Sequence, residues 1–279
     1  MIDTHLHLWD PDTIPRSWLA GVPELDRAMG LEAYRVVAAA CGIEAAIHVE
    51  TDVDDTGLDL EVDEVAAVMG RSALVRSAVV GGRPGHPGFE AWLDGVGHLP
   101  GVIGLRRVFH GLGGDPGAFL TPRLIDDLRL LGERRLLFEL CVRPDQLESA
   151  IRLVDACPAT EFVLDHLGRP EIAAGVTASW SDGMTQIADR ENVVGKLSGL
   201  IECAAGHDWT VETFRPFFEV ALDRFGPDRL VWGSNWPVCE LGGSLKRWVA
   251  ATRSLLEHHA EPVRTAVLEG NARRIYRLH

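Results

Sequence analysis

Eight short runs of apolar and β-branched residues recur along this chain, separated by stretches with helical spacing, and that alternation limits the folds open to it. The runs lie at 2–8, 45–50, 73–80, 101–109, 136–142, 161–166, 193–198 and 230–234. Most are bounded by Gly or Pro, as buried parallel strands should be. Helical patterns occupy 31–41, 59–69, 210–225, 244–258 and 262–276, and another opens at Pro144 with acids in its first turn. Strands alternating with helices mean an α/β fold with a parallel sheet. Eight such units favour closure into a (β/α)8 TIM-type barrel, and no change of composition divides residues 1–279 into more than one domain.

Barrel enzymes carry their chemistry where the strands end, and the polar residues of this chain collect there. His5 and His7 are two apart in the first run, so both imidazoles point to one face. In a dry interior such a pair needs a metal or hydrogen-bonding partners. The alternatives are therefore metal ligands or a pair of satisfied core histidines. His166 ends the sixth run in Phe162-Val-Leu-Asp-His-Leu-Gly-Arg-Pro. It can complete a three-histidine metal set, act as an electrophile or carry a proton. The structural alternative is that Asp165 and His166 cap the next turn.

Cations gather at the same rim: Arg106 and Arg107 end the fourth run, Arg143 follows the fifth, Arg169 follows the sixth and Lys196 lies in the seventh. With 27 basic and 41 acidic residues the net charge is 27 − 41 = −14, so this clustering suits an anionic substrate or a developing oxyanion. Strand parity turns Arg106 and Arg107 to opposite faces. Arg106 is the expected site residue, with Arg143 and Lys196, while Arg107 and Arg169 read as ordinary surface residues. Glu139 and Glu50 interrupt apolar runs, where a carboxylate must pair with a cation or carry a raised pKa. Catalysis and a structural ion pair are both open to them. His48 and Trp236 join the substrate-binding candidates, and His110 lies near a strand end. Trp9, Trp180 and Trp209 can wall the pocket or simply pack.

The acidic balance opposes nucleic acid or an anionic membrane as a partner. Five cysteines, odd in number and without a CxxC pair, fit reduced thiols in a cytoplasmic enzyme. The chain opens without a signal-peptide pattern. Its most apolar long stretch, 36–47, is broken by Gly42 and Glu44 and is too short to span a bilayer.

Several motifs follow one another along nearly the whole chain. They are Asp3-Thr-His-Leu-His-Leu-Trp, Gly104-Leu-Arg, Val142-Arg-Pro-Asp-Gln-Leu, Val163-Leu-Asp-His-Leu-Gly-Arg-Pro, Gly195-Lys-Leu-Ser-Gly-Leu and Leu230-Val-Trp-Gly-Ser-Asn-Trp-Pro. Together they resemble the lactone-hydrolysing branch of the amidohydrolase superfamily. The resemblance implies a distorted barrel and hydrolysis of a cyclic ester, a sugar-acid lactone being the leading candidate. Water would attack a carbonyl polarised by a metal or by cationic residues. The resemblance also implies that His5, His7 and His166 are the metal set and Arg106 the substrate-binding arginine. At most one zinc or other divalent ion is expected, since some members of the branch work without metal. Lactone isomerisation or decarboxylation on the same barrel is the related alternative, and a homo-oligomer is compatible with the resemblance.

The eighth run departs from the branch, which has Gly-Ser-Asp-Trp-Pro where this chain has Gly233-Ser-Asn-Trp-Pro. An amide is not a base at neutral pH. Asn235 therefore leaves the catalytic base to His166 or Glu139, or marks a barrel that binds its ligand without turnover. Substrate choice is expected in the loops 10–30 and 111–120.

Overall fold

A computed structural model of the protein describes residues 1–111 and 114–278. Its strands are β1 (Ile2–Leu6), β2 (Ala45–Val49), β3 (Val75–Gly81), β4 (Val102–Val108), β5 (Leu137–Cys141), β6 (Phe162–Leu164), β7 (Val193–Leu197) and β8 (Leu230–Trp232). Neighbours in sequence pair in parallel, from β1 through to β8. β8 comes back to β1 through a bridge between Leu6 and Trp236. The Asn235 N–H donates to the His5 carbonyl, and the His7 N–H to the Trp236 carbonyl, both at 2.8 Å. The sheet thus closes into a (β/α)8 barrel. It is irregular where the register slips in the first three pairings and where β6 and β8 shrink to three residues.

The ladder stops earlier than the apolar runs suggest. His7, His166 and Ser234, expected in the strands, lie just beyond them, and Asn235 follows. At His166 and Asn235 the backbone turns left-handed, with φ of 56° at each, and a strand cannot continue through that conformation.

A main helix follows each strand: Leu31–Cys41, Leu58–Arg71, Phe89–Val96, Pro122–Glu133, Leu147–Ala156, Ala178–Ala188, Val211–Phe225 and Leu245–Leu256, with a short extra one, Leu200–Cys203, after β7. Local chemistry sets their ends. Pro122 opens its helix behind Thr121, whose hydroxyl accepts the Leu124 N–H at 3.2 Å, and Gly42 stops the first helix at φ 74°. The helices bury their apolar faces against the outer side of the sheet in one large core. The single helix expected over 262–276 is instead Glu261–Thr265, a π-turn Ala266–Gly270, and Asn271–Ile275.

This C-terminal segment crosses the barrel mouth at the amino ends of the strands. The Asn271 amide donates to the Pro227 and Leu230 carbonyls at 2.7 Å each, and Arg277 reaches the Arg135 carbonyl and Glu161. Ala272, Ile275 and Tyr276 pack on the interior residues Ile47, Val79, Leu137, Val163 and Val231. With that mouth sealed, the carboxyl ends of the strands remain as the open one. Among the described residues no helix is long and apolar enough to cross a membrane. The five cysteines are free thiols, four of them buried.

Candidate active site

A cavity of about 310 Å³ opens at the carboxyl ends of the strands. His7, Arg106, His110, His166, Arg169 and Asn235 face it, with Thr51, Asp52 and Cys141. Trp9 and Trp18 form an aromatic wall, and Val22, Val108, Val238 and Leu241 complete the apolar lining. Trp18 reaches this place because its indole N–H donates to the Thr51 carbonyl at 2.9 Å. The Trp9 indole is tied to the Leu25 and Arg27 carbonyls, so the loop after β1 folds over the site.

A charged layer lies under the cavity. The Lys196 ammonium is 2.6 Å from Glu139, 3.0 Å from Asp165 and 3.0 Å from His5 Nδ1. Arg106 donates to the Glu50 carboxylate at 2.6 Å and to its carbonyl at 2.7 Å, and stands 3.2 Å from His5 Nε2. The Tyr276 hydroxyl donates to Glu139 at 2.7 Å from below. Burial and the neighbouring Asp165 push Glu139 up to about 8. Burial also works to raise Asp165, but Lys196 and His5 outweigh it and hold this carboxylate well below its ordinary range. Burial, reinforced by Lys196 at His5 and by Arg106 at His7, drives both imidazoles well below 6.5, so both are neutral.

His7 Nδ1 lies 2.8 Å from the Val49 carbonyl oxygen, which only accepts, so Nδ1 carries the proton. Its Nε2 lone pair then faces Asn235 Oδ1 at 3.1 Å, while the Asn235 amide donates to Glu202. Two lone pairs pointed at each other are an arrangement that a cation relieves. His5, Asp165 and His166 also place ligand atoms within 4.8 Å of one another, with Lys196 at 3.0 Å from Asp165 already supplying a positive charge beside them. A divalent ion can draw on His7, Asn235 and His166 in the cavity wall or on the His5, Asp165 and His166 group beneath it. His5 has Arg106 at its Nε2 and Lys196 at its Nδ1, so an ion binding it competes with a cation at either nitrogen, a competition invisible in the sequence.

His166 is set by an unusual backbone. His166, Leu167, Gly168 and Arg169 are all left-handed, with φ of 56°, 51°, 69° and 53°. Non-glycine residues there cost about 1–3 kcal/mol each and persist only where surroundings dictate them. The Trp180 indole holds the Leu167 carbonyl at 2.8 Å, and Ser198 Oγ lies 2.8 Å from His166 Nδ1. The turn swings both His166 and Arg169 to the cavity.

Of the residues expected from sequence, His7, His166, Asn235 and Arg106 line the cavity and His5 lies directly under it. Others are placed elsewhere. Glu139 and Lys196 contact each other at 2.6 Å below the cavity and do not line it. Arg143 is turned to Asp145 and the His110 carbonyl, because the turn that starts at Pro144 lies beside it. His48 is buried, its Nε2 accepting the Leu8 N–H at 3.4 Å, and Trp236 packs against Tyr34. Arg169, expected at the surface, faces the cavity instead. Trp9 is a wall residue, whereas Trp180 and Trp209 pack elsewhere. The sequence reading missed Asp52 on a turn, Trp18 in the 3-10 helix Ser17–Gly21 and Glu202 in the short helix Leu200–Cys203, segments too short to show periodicity. Residues 112 and 113 of the expected specificity loop lie outside the described residues.

Residues 2–278 match the family described as Amidohydrolase. The chain belongs to that family. At 27% identity it is similar to the L-fucono-1,5-lactonase of Burkholderia ambifaria, over 99% of this chain and 95% of the relative. At 29% identity it is similar to the 4-sulfomuconolactone hydrolase of Rhizobium radiobacter, over 84% of this amidohydrolase and 75% of that one. An amidohydrolase of Burkholderia multivorans, crystallised with zinc bound, shares the fold with a TM-score of 0.89 at 24% identity, covering 100% and 99% of the two chains.

Proposed function

We propose that this amidohydrolase hydrolyses a lactone, a cyclic ester of a sugar acid, at the cavity above β1, β4, β6 and β8. The observation that carries the reading is the convergence of Arg106, Arg169 and neutral His7, His110 and His166 on one small cavity under Trp9 and Trp18. The names of the two relatives, a sugar lactonase and a muconolactone hydrolase, support the same bond type.

Attack on a lactone carbonyl moves negative charge onto its oxygen, and fixed cations in a dry site favour that charge. Arg106 cannot swing away, since Glu50 holds it at two atoms. Arg169, on its rigid left-handed turn, is the second cation at the cavity and suits a carboxylate on the substrate. The indole faces of Trp9 and Trp18 suit the apolar face of a sugar ring. A divalent ion held by His7, Asn235 and His166 would add Lewis-acid polarisation of the carbonyl. The Asn235 oxygen can orient a water but cannot take its proton, and Glu139 is sealed off by Lys196 and Tyr276.

A panel of aldonolactones and aldarolactones, followed by proton release, tests the reading. At least one should open, with NMR showing the free hydroxy acid. A ring-shifted lactone or released carbon dioxide as sole product would replace hydrolysis by isomerisation or decarboxylation. Silence of the wild-type protein on the whole panel would refute the reading. Substituting Arg169→Ala should raise KM about tenfold or more while leaving the fold intact, because it removes a cation from the cavity wall.

A further inference from the structure

Resting on the lactone-hydrolase reading, the geometry points to Asp52 as the general base of the reaction. Asp52 is the single carboxylate among the described residues that line the cavity. The other titratable groups there are poorly suited to accept a proton near neutrality. His7 and His166 are the imidazoles that would hold the ion, and His110 falls to about 3 through burial first, so none of the three is free to serve as the base. Burial lifts the Cys141 thiol to about 12, which leaves it protonated. Arg106 and Arg169 only donate.

The segment that presents Asp52 is held at every turn by groups from other elements. Asp52 is left-handed at φ 52°, a conformation Asp tolerates better than most residues. Its N–H donates to Glu50 at 2.5 Å, and the same carboxylate receives Arg106 on its other oxygen. One residue earlier, the Thr51 N–H and hydroxyl donate to Glu61 at 2.8 and 2.5 Å, while Arg16 donates to that hydroxyl at 2.7 Å. Trp18 caps the Thr51 carbonyl. Two buried carboxylates, two arginines and an indole thus fix a strained turn that sets Asp52 in the cavity wall. A loop with no task would not need such support.

The charges around Asp52 set its affinity for a proton. Burial and then Glu50 push it up, Asp54 adds to this, and Arg106 and Arg83 oppose it, leaving Asp52 at about 6. A base in that range is ionised at neutral pH and still holds a proton well enough to take one from water. In the step, the water oxygen bonds to the lactone carbonyl carbon as Asp52 accepts the water proton. The carbonyl π electrons move to the oxygen facing the arginines. Collapse re-forms the carbonyl and breaks the ring C–O bond, and the leaving oxygen takes the proton back from Asp52. The product is a hydroxy acid, and no oxidant or reductant is involved.

The test uses the full chain and the lactone that the wild type opens fastest, with rates measured from about pH 5 to 9. Asp52→Asn should lower kcat by about 10²- to 10⁴-fold, with KM changed less than about threefold. The acid limb expected near pH 6 in the wild type should be absent from the variant. Asp52→Ala should recover part of its rate with added formate, a rescue that a structural role would not give. If Asp52→Asn fails to fold, Asp52→Glu takes its place: an acid limb retained at lower kcat supports the assignment, and its loss refutes it. Wild-type turnover with unchanged kcat in Asp52→Asn, or a loss confined to KM, would overturn Asp52 alone. Silence of the wild type on every lactone would bring down the reaction and its base together.

Discussion

Position 199 shows how closely single residues fix the site. Gly199 is left-handed at φ 70°, and a Cβ added there would stand 2.4 Å from the His166 ring. Gly199→Ala must therefore push His166 off its turn and strain the backbone as well. The expected result is a loss of about 1–3 kcal/mol in urea denaturation and a fall in kcat/KM of more than about tenfold. Unchanged kinetics in a folded Gly199→Ala protein would show that His166 does not need its present position. At this scale the sequence was only partly legible. His5, His7, His166 and Arg106 announced themselves, because imidazoles and a guanidinium in apolar runs are expensive to bury without purpose. Asp52, Trp18 and Glu202 gave no such signal, since acids and aromatics between the strands are ordinary. Arg169 was misjudged because its direction depends on four successive left-handed residues, of which only Gly168 hints at the conformation.

At the scale of elements, the strands and most helices were readable because burial on a barrel wall imposes its pattern on composition. Strand ends were not, since the left-handed turns at His166 and Asn235 are decided by contacts distant in sequence. The C-terminal segment is the element whose role was hidden: its helical pattern was plain, but not that it stoppers the barrel. Tyr276 links the stopper to the charged layer through Glu139. Tyr276→Phe removes the donor and leaves a buried carboxylate oxygen unsatisfied, which should cost about 1–3 kcal/mol. Denaturation of the variant measures this, and a cost below about 0.5 kcal/mol would mean that Glu139 does not rely on the hydroxyl. Turnover should change little, because Glu139 does not line the cavity.

For the molecule as a whole, buried titratable groups set the dependence of stability on pH. His5, His7, His48, His110 and His166 all have folded pKa values below 6.5, through burial first. The unfolded chain binds those protons more readily, so the stability these residues contribute is complete above 6.5 and is lost as the pH falls. Burial first, with Glu50 at Glu61 and Asp165 at Glu139, raises Glu61, Glu139 and Glu202 from 4.5 to about 7, 8 and 7. Their contribution is complete below 4.5 and is lost as the pH rises through 7 to 8. The opposing slopes meet near about pH 6.5, where the thermal midpoint should be highest, and it should decline on both sides. A midpoint still climbing between about pH 7 and 8 would contradict this balance. The layer of Glu50, Arg106, Lys196, Glu139 and Asp165 has one more result. Deleting one member strands the charge of another, at roughly 3–5 kcal/mol, so this foundation can be altered only by paired substitutions. Positions at the rim such as Val22, Val238 and Leu241 carry no such debt. Barrels built this way can therefore acquire new substrates one mutation at a time while their charged base stays frozen.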